Sequence, residues 1–162
     1  MAKSDRKQRF FRHPAGTPQQ LAAEAHEALI GACALTARWL DVRATGAVVH
    51  PMDAELDRTP LSADELAGIE QLLKAADQMV GQAYSDMEQA EEGSGDWELL
   101  QVSVLCSGLG EMLRRCAMAD DEESLTPSGG AAALQLIIAA RDRIERSPTY
   151  QGEHRAALRK AA

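Results

Sequence analysis

The stretch of sequence that decides the fold is LAGIEQLLKAADQMVGQAYSDMEQA, residues 66–90. Its apolar positions alternate in steps of three and four residues, and this spacing places them along one side of a single long α-helix. These positions are Leu66, Ile69, Leu73, Ala76, Val80, Ala83, Met87 and Ala90. A helix with one apolar side must bury that side, so other helices of this chain or of another subunit have to cover it.

Capping signals extend this helix and predict three more. Ser62 and Glu65 form a capping box at the start of the central helix, and Thr17 with Pro18 marks the start of an earlier one. Asp96 caps a third helix after the break at 93–95, and Ser147 and the proline after it end a fourth. The predicted helices cover residues 18–43, 63–92, 97–116 and 131–146.

The composition agrees with an all-α protein. Hydrophobic residues make up 45% of the 162 residues but aromatic residues only 4%, because Ala and Leu dominate, and both favour helix over strand. We therefore predict an antiparallel bundle of four main helices, with a long loop over residues 44–61 between helices 1 and 2. The predicted organisation is a flexible basic arm (1–16), one bundle domain (17–148) and a basic C-terminal tail (149–162) with a last turn or two of helix.

The apolar stripes also predict the core. The residues expected to be nearly buried are Leu35, Trp39, Leu73, Val80, Leu105 and Leu109, and the stripe of the third helix is expected to continue through Met112 and Cys116. Gly108 and Gly110 within this helix are expected to pack closely against another backbone, that of helix one, since an interior glycine otherwise costs about 1 kcal/mol. The central helix is longer than helix four, so residues 80–87 or 48–52 are expected to be left for a second copy of the chain.

The net charge of −8 is distributed unevenly. Residues 1–16 carry five Lys/Arg against one acid, whereas residues 53–98 carry two against thirteen. The acidic residues predict a surface that binds a basic protein partner, with a solvated face that keeps the protein soluble as the alternative. The candidate contact residues on this surface are Glu70, Asp77, Asp86, Glu88, Glu91 and Glu92.

The N-terminal arm combines cations with aromatic rings. Its candidate contact residues are Arg6, Arg9, Phe10, Phe11 and Arg12. Such a combination is typical of arms that bind single-stranded nucleic acid or RNA. The same residues also suit a peptide that contacts another protein, or a tail that docks on the acidic body of its own chain. Of these roles, contact with another protein is preferred, and binding of nucleic acid is the less favoured alternative.

One histidine suggests a different function. The stretch AHEALIGA, residues 25–32, resembles the phosphorylatable helix of histidine-phosphotransfer domains. The resemblance implies a signalling bundle in which His26 accepts the phosphoryl group. Ile30 stands one turn after the histidine, where that family has a small residue, and Glu24 and Glu27 surround the ring with negative charge that opposes a phosphoryl group. The other interpretation is a histidine at the edge of the apolar stripe.

Signatures of catalysis are absent from the sequence. It has no glycine-rich phosphate loop after a strand, no Cys-x-x-Cys pair and no Glu-x-x-His spacing, so we predict no enzyme, no cofactor and no metal site. No signal peptide or membrane-spanning stretch is recognisable, and three cysteines fit a reducing compartment, so we expect a cytoplasmic protein without membrane contact. The sequence therefore predicts a non-enzymatic protein–protein interaction module: a small adaptor, regulator or inhibitor, either alone or as a homodimer.

Overall fold

A computed structural model describes residues 15–45, 63–89, 96–118 and 127–161 of the chain. Within these ranges the chain is all-helical and contains no strand. The helices are α1 (Pro18–Thr45), α2 (Ala63–Gln89), α3 (Trp97–Met118), α4 (Pro127–Arg146) and α5 (Pro148–Ala161). None of these helices combines the length and the apolar character that crossing a membrane requires.

The start of α1 follows the predicted capping signal. The backbone N–H of Gln20 donates to Oγ1 of Thr17 (3.2 Å), and the N–H of Thr17 donates to Oε1 of Gln20 (3.0 Å). This reciprocal pair satisfies two backbone donors that the first turn of a helix leaves without partners. Pro18, which has no N–H to satisfy, occupies the first helical position as predicted.

Four helices pack around one core. Both α1 and α3 pack against α2 and α4, and α5 packs against α1 and α4. The heptad stripe of α2 forms the centre of the core from Leu66 to Ala83, where all six of its positions are buried. The predicted helix with one apolar side is therefore confirmed, and its covering helices come from the same chain.

Three of the six predicted core residues are confirmed, and two, Leu35 and Leu105, are wrong. Leu73, Val80 and Leu109 are buried, but Leu35 is 45% exposed. The next residue, Thr36, faces the core instead, and its hydroxyl donates to the carbonyl of Ala32 (2.8 Å). This bond within the helix lets a polar side chain take a core position without leaving an unsatisfied group. The side chain of Trp39 lies outside the described residues.

The predicted stripe of α3 is rotated relative to the observed one. The buried positions are Leu99, Val102, Cys106, Leu109 and Leu113, which alternate strictly in steps of three and four. Leu105 and Cys116, which the sequence analysis placed in the core, are only half-buried, and Met112 is 38% exposed. This one-residue difference after Val102 turns part of the predicted core face toward the surface.

The explanation proposed for the α3 glycines is also wrong. A Cβ atom built on Gly108 or on Gly110 would meet nothing within 4 Å apart from the backbone of its own helix. Close contact with helix one therefore does not account for either glycine in this chain. Gly110 lines a groove between α2 and α3, and Gly108 lies on the exposed side of α3.

The last two helices are longer than predicted. Helix α4 begins at Pro127, because proline suits a first helical position, and so it includes the residues 127–130 that were assigned to a loop. The C-terminal tail is itself helical: α5 has 14 residues and is separated from α4 by Ser147 alone. The basic side chains expected there at 155 and 159 lie outside the described residues.

The surface predicted for self-association is mostly covered. Val80 and Ala83 are fully buried and Met87 is half-buried, so 80–87 offers little apolar surface to a second copy. The other predicted segment, 48–52, and the long loop beyond Thr45 lie outside the described residues. So does the predicted end of the central helix at 92, since the described part of α2 ends at Gln89.

Candidate functional site

The structure describes four of the six residues of the predicted acidic surface. Asp77 is half-buried and accepts a hydrogen bond from Ser103 of α3, and Asp86 accepts one from Gln82 of its own helix (2.6 Å). Glu88 is exposed. Two of these carboxylates are therefore engaged in bonds within the chain. The remaining candidates at 91 and 92 lie outside the described residues.

Glu70 and Asp77 line a groove between α2 and α3 together with cations. The groove has a volume of about 210 Å³, and its lining includes Lys74, Glu111 and Arg114. Neither cation makes an ion pair with any residue that the structure describes. The two signs of charge alternate here, so this part of the α2 surface does not present the uniformly negative field that a basic partner would require.

A cysteine also borders this groove. Cys106 is buried, and burial together with the nearby Asp77 carboxylate raises the pKa of its thiol to about 12. Because the thiolate is the reactive form, this cysteine is not a nucleophile near neutral pH. It packs as a small apolar side chain in the stripe of α3.

His26 lies in a cluster formed by α1, α4 and α5. Its Nε2 atom is 2.9 Å from Oε1 of Glu145, and its Nδ1 atom is 3.4 Å from the hydroxyl of Tyr150. The rings of His26 and Tyr150 pack against each other at a centroid distance of 4.8 Å. Arg141 also approaches Glu145 at 3.6 Å. Burial raises the pKa of the Tyr150 hydroxyl, and the carboxylates of Glu145 and Glu27 raise it further.

This arrangement bears on the phosphotransfer hypothesis. The imidazole of His26 is 12% exposed, and both of its nitrogens contact side chains of other helices. A phosphoryl group on Nε2 would also have to replace the carboxylate of Glu145, and like charges repel. The cluster therefore joins three helices and gives no support to phosphotransfer. Among the described residues, no group of three or more potential ligands is placed to hold a metal ion.

The basic and aromatic residues of the arm at 6, 9, 10, 11 and 12 lie outside the described residues. Binding of a protein partner, of nucleic acid or of the body of the chain by this arm therefore remains a prediction from the sequence alone.

A buried carboxylate that the sequence analysis identified only as a helix cap has further roles. Oδ1 of Asp96 accepts the backbone N–H of Leu99 (3.3 Å), as an N-cap does. Its Oδ2 accepts the hydroxyl of Ser147 and the backbone N–H of Thr149 (3.2 Å). Thr149 in turn lies with its hydroxyl 3.3 Å from the sulfur of Met87. Asp96 thus joins the start of α3 to the junction between α4 and α5.

The surface feature that sequence reasoning missed is an apolar strip on α3. Trp97 and Val104 are 64% and 66% exposed, and Met112 is also exposed. Their separations of seven and eight residues place them along one side of the helix, with Gly108 between the last two. We call these four residues the α3 outer face. The one-residue rotation of the α3 stripe was the available signal, because a strict heptad through Cys106 leaves them outside the core.

One residue of α4 extends this surface. Leu136 is 41% exposed. It lies two turns before Arg143 and therefore on the same side of α4. That side faces α3, because Arg143 forms an ion pair with Glu98 (3.1 Å). Four of the six large apolar side chains that are exposed in the described parts of the chain therefore lie on α3 or beside it.

Comparison of this chain with protein-family models, curated proteins and solved structures found no match. The functional argument therefore depends on the geometry alone.

Proposed function

We propose that this chain is a non-enzymatic protein–protein interaction module, an adaptor or regulator that acts by binding, with the α3 outer face as its contact surface. The observation that carries this proposal is the exposure of Trp97 and Val104. Each ranks among the most apolar side chains, and an exposed patch of this kind marks a surface that another molecule covers. Tryptophan is also the residue type most enriched among those that dominate binding energy.

The distribution of charge supports α3 over α2 as the contact surface. Interfaces are depleted of charged residues at their centre and enriched in aromatic residues and methionine. The α3 outer face has apolar residues at 97, 104 and 112, and the charges beside it, Glu111 and Arg115, are paired with each other, whereas the α2 surface near Glu70 carries acids and cations together. The proposal therefore moves the contact from the predicted acidic residues to the apolar side of the next helix.

The proposed frame for this surface is an antiparallel four-helix bundle. Three sets of contacts support that direction of the helices. Near the start of α3, Ser103 bonds Asp77, and toward its end Arg114 borders Glu70, which comes earlier in α2. Glu98, at the start of α3, pairs with Arg143 and Arg146 at the end of α4. His26, early in α1, likewise meets Glu145.

A cytoplasmic location is part of the same proposal. Cys33, Cys106 and Cys116 are all free thiols, which fits a reducing compartment.

The test is a capture experiment with a matched control. The tagged full chain, its Val104→Asp variant and its Ile30→Asp variant are incubated with extract of the native host that contains the untagged chain, and captured proteins are identified by mass spectrometry. Ile30 is a suitable control because it is also β-branched and exposed (46%), but lies on α1. We expect Val104→Asp to reduce capture roughly tenfold or more, since a charge at the centre of an interface costs at least about 1.4 kcal/mol, while Ile30→Asp captures as the parent does.

Equal capture by both variants would contradict the proposal. The untagged chain counts as a captured protein in this experiment, so a partner that is a second copy registers like any other.

A further inference from the structure

The α3 outer face contains a protruding side chain and, one turn later, an exposed position that has no side chain. Val104 projects from the middle of the helix and is 66% exposed. One turn later, Gly108 has no side chain, and a Cβ atom there would meet nothing within 4 Å. A glycine inside a helix is destabilising relative to alanine, and no contact within the described parts of this chain requires one at this position. The space above Gly108 is therefore available to a side chain from another molecule.

We propose, on the basis of the function proposed above, that the occupant of the α3 outer face is a second copy of this chain. In the proposed dimer the two α3 helices cross antiparallel, and the two-fold axis passes between them at the height of residue 106 along each helix. Val104 and Gly108 are equally far from that point, so the valine of each copy packs over the glycine of the other. Such an interface uses one patch twice, which is the commonest arrangement among soluble homo-oligomers.

The same axis gives the exposed tryptophan a partner. Trp97 and Arg115 are also nine residues either side of residue 106, and steps of seven, seven and four residues (97, 104, 111, 115) keep them on the same side of the helix. The guanidinium of Arg115 in one copy therefore lies over the indole of Trp97 in the other, a favourable cation–π contact. Met112, one turn before Arg115, adds a sulfur that packs well against an aromatic ring.

Charge on this side of α3 favours a second copy over a strongly charged partner. The two charged residues near the outer face, Glu111 and Arg115, form an ion pair with each other. The face is therefore locally neutral even though the chain carries a net charge of −8. A partner that binds by opposite charge gains little here, whereas a neutral apolar face is complementary to itself.

The size of the face sets the expected strength. Helix α3 has 22 residues and is therefore about 33 Å long. A strip of this length and about 10 Å width is smaller than the roughly 800 Å² that each partner buries in a standard interface, even with Leu136 at its side. We therefore expect a dissociation constant of about 10–100 µM.

The first experiment measures the oligomeric state of the full chain by sedimentation velocity between about 1 and 500 µM. We expect monomer at the low end and mostly dimer at the high end. Gly108→Leu places a side chain where the valine of the other copy is proposed to pack, and should weaken dimerisation at least tenfold. Its matched control is Gly110→Leu, two residues away in the same helix, whose new side chain points into the groove beside α2. Circular dichroism and urea unfolding should show both variants folded, since each replaces a helical glycine.

The second experiment tests the register. A Val104→Cys variant mixed with a Gly108→Cys variant should form an intermolecular disulfide under mild oxidation faster than either variant alone. The parent, with its own three cysteines, gives the background rate.

The remaining outcomes overturn the inference. A chain that stays monomeric at 500 µM, or a dimer that Gly108→Leu leaves intact, excludes this interface. A dimer that forms only after deletion of residues 1–14 assigns the face to the chain's own arm. If the chain is monomeric but Val104→Asp still loses a captured protein, the proposed function stands and only the identity of the occupant is wrong. If the chain is monomeric and Val104→Asp captures the same proteins as the parent, both the dimer and the proposed function are contradicted.

Discussion

At the scale of single residues, Asp96 stands out because it is the one acid that is buried in the described parts of the chain. Its two oxygens accept hydrogen bonds from α3 and from the junction that begins α5. A sequence can show that an aspartate precedes a helix, and so its role as a cap was predictable. The bonds to Ser147 and Thr149 were not predictable, because they depend on how helices more than fifty residues apart pack together.

We expect Asp96→Ala to lower the free energy of unfolding by about 2–4 kcal/mol, because it removes a helix cap and leaves buried donors unsatisfied. Asp86→Ala is the control, since that aspartate bonds one glutamine of its own helix and should cost less than about 0.5 kcal/mol. Urea unfolding followed by circular dichroism measures both. Similar losses in the two variants would show that the bonds of Asp96 across helices contribute little.

Cys106 predicts a pH dependence at the same scale. Its pKa of about 12 in the folded chain lies above the ordinary value of 9.0. Below pH 9 the thiol is protonated in both states, and its contribution to stability is complete. As the pH rises from 9 toward 12, the unfolded chain loses this proton while the folded chain keeps it, and so stability falls.

Between pH 8 and 10.5 the parent should therefore lose on the order of 1–2 kcal/mol more stability than Cys106→Ala does. Urea unfolding at both pH values gives this difference. It is independent of the packing that the variant loses, because that loss is the same at each pH. Parallel losses in the two proteins would mean that Cys106 titrates normally in the folded state.

At the scale of helices, the accuracy of the sequence analysis varied with the quality of each stripe. Helix α2 was predictable because its stripe continues in alternating steps of three and four residues along the whole helix, even though Leu72 and Met79 lie beside it. In α3 both Leu105 and Cys106 can continue the stripe after Val102, and the sequence alone does not decide between them. The wrong choice concealed the α3 outer face. Helix α5 was predicted only as a last turn or two, because few of its residues are apolar, but it extends over 14 residues.

The contacts at the first turn of α5 predict that Tyr150 anchors this helix. Its ring packs on His26 and against the core, and so Tyr150→Ala should lower the free energy of unfolding by about 2–3 kcal/mol. Lys160→Ala, near the exposed end of the same helix, should change it by less than about 0.5 kcal/mol. Thermal and urea unfolding measure both variants. An unchanged midpoint for Tyr150→Ala would mean that α5 is attached by Asp96 and Ser147 rather than by the His26 cluster.

At the scale of the whole molecule, the all-α fold and the buried apolar side of α2 followed from the sequence, but the candidate site did not. Apart from Phe10 and Phe11, the predicted contact residues are all charged. The charge of a residue predicts that its side chain is solvated, but it does not predict which apolar side chains remain exposed after the helices have packed. Exposure of Trp97 and Leu136 depends on how α3 and α4 are oriented against their neighbours, which no single stripe specifies.

The buried stripe of α2 predicts where a substitution lowers the stability of the fold most. Leu73 is fully buried, and Leu73→Ala should cost about 2–5 kcal/mol, because it leaves a cavity that neighbouring helices cannot fill. Leu136→Ala removes the same atoms from an exposed position and should cost less than about 0.5 kcal/mol in the monomer. Unfolding is measured at about 1 µM so that self-association does not contribute. Equal costs would contradict a core centred on α2.

The junction at Ser147 has a consequence for the rates at which backbone amides exchange with solvent. First-turn amides of a helix normally exchange quickly, because they lack partners within the helix. Here the N–H groups of Leu99 and Thr149 share the carboxylate of Asp96, and the N–H of Tyr150 donates to the hydroxyl of Ser147. One local opening therefore exposes the beginnings of two helices together. In deuterated water these three amides should exchange slowly and with the same opening free energy, although Leu99 lies fifty positions before Thr149 in the chain.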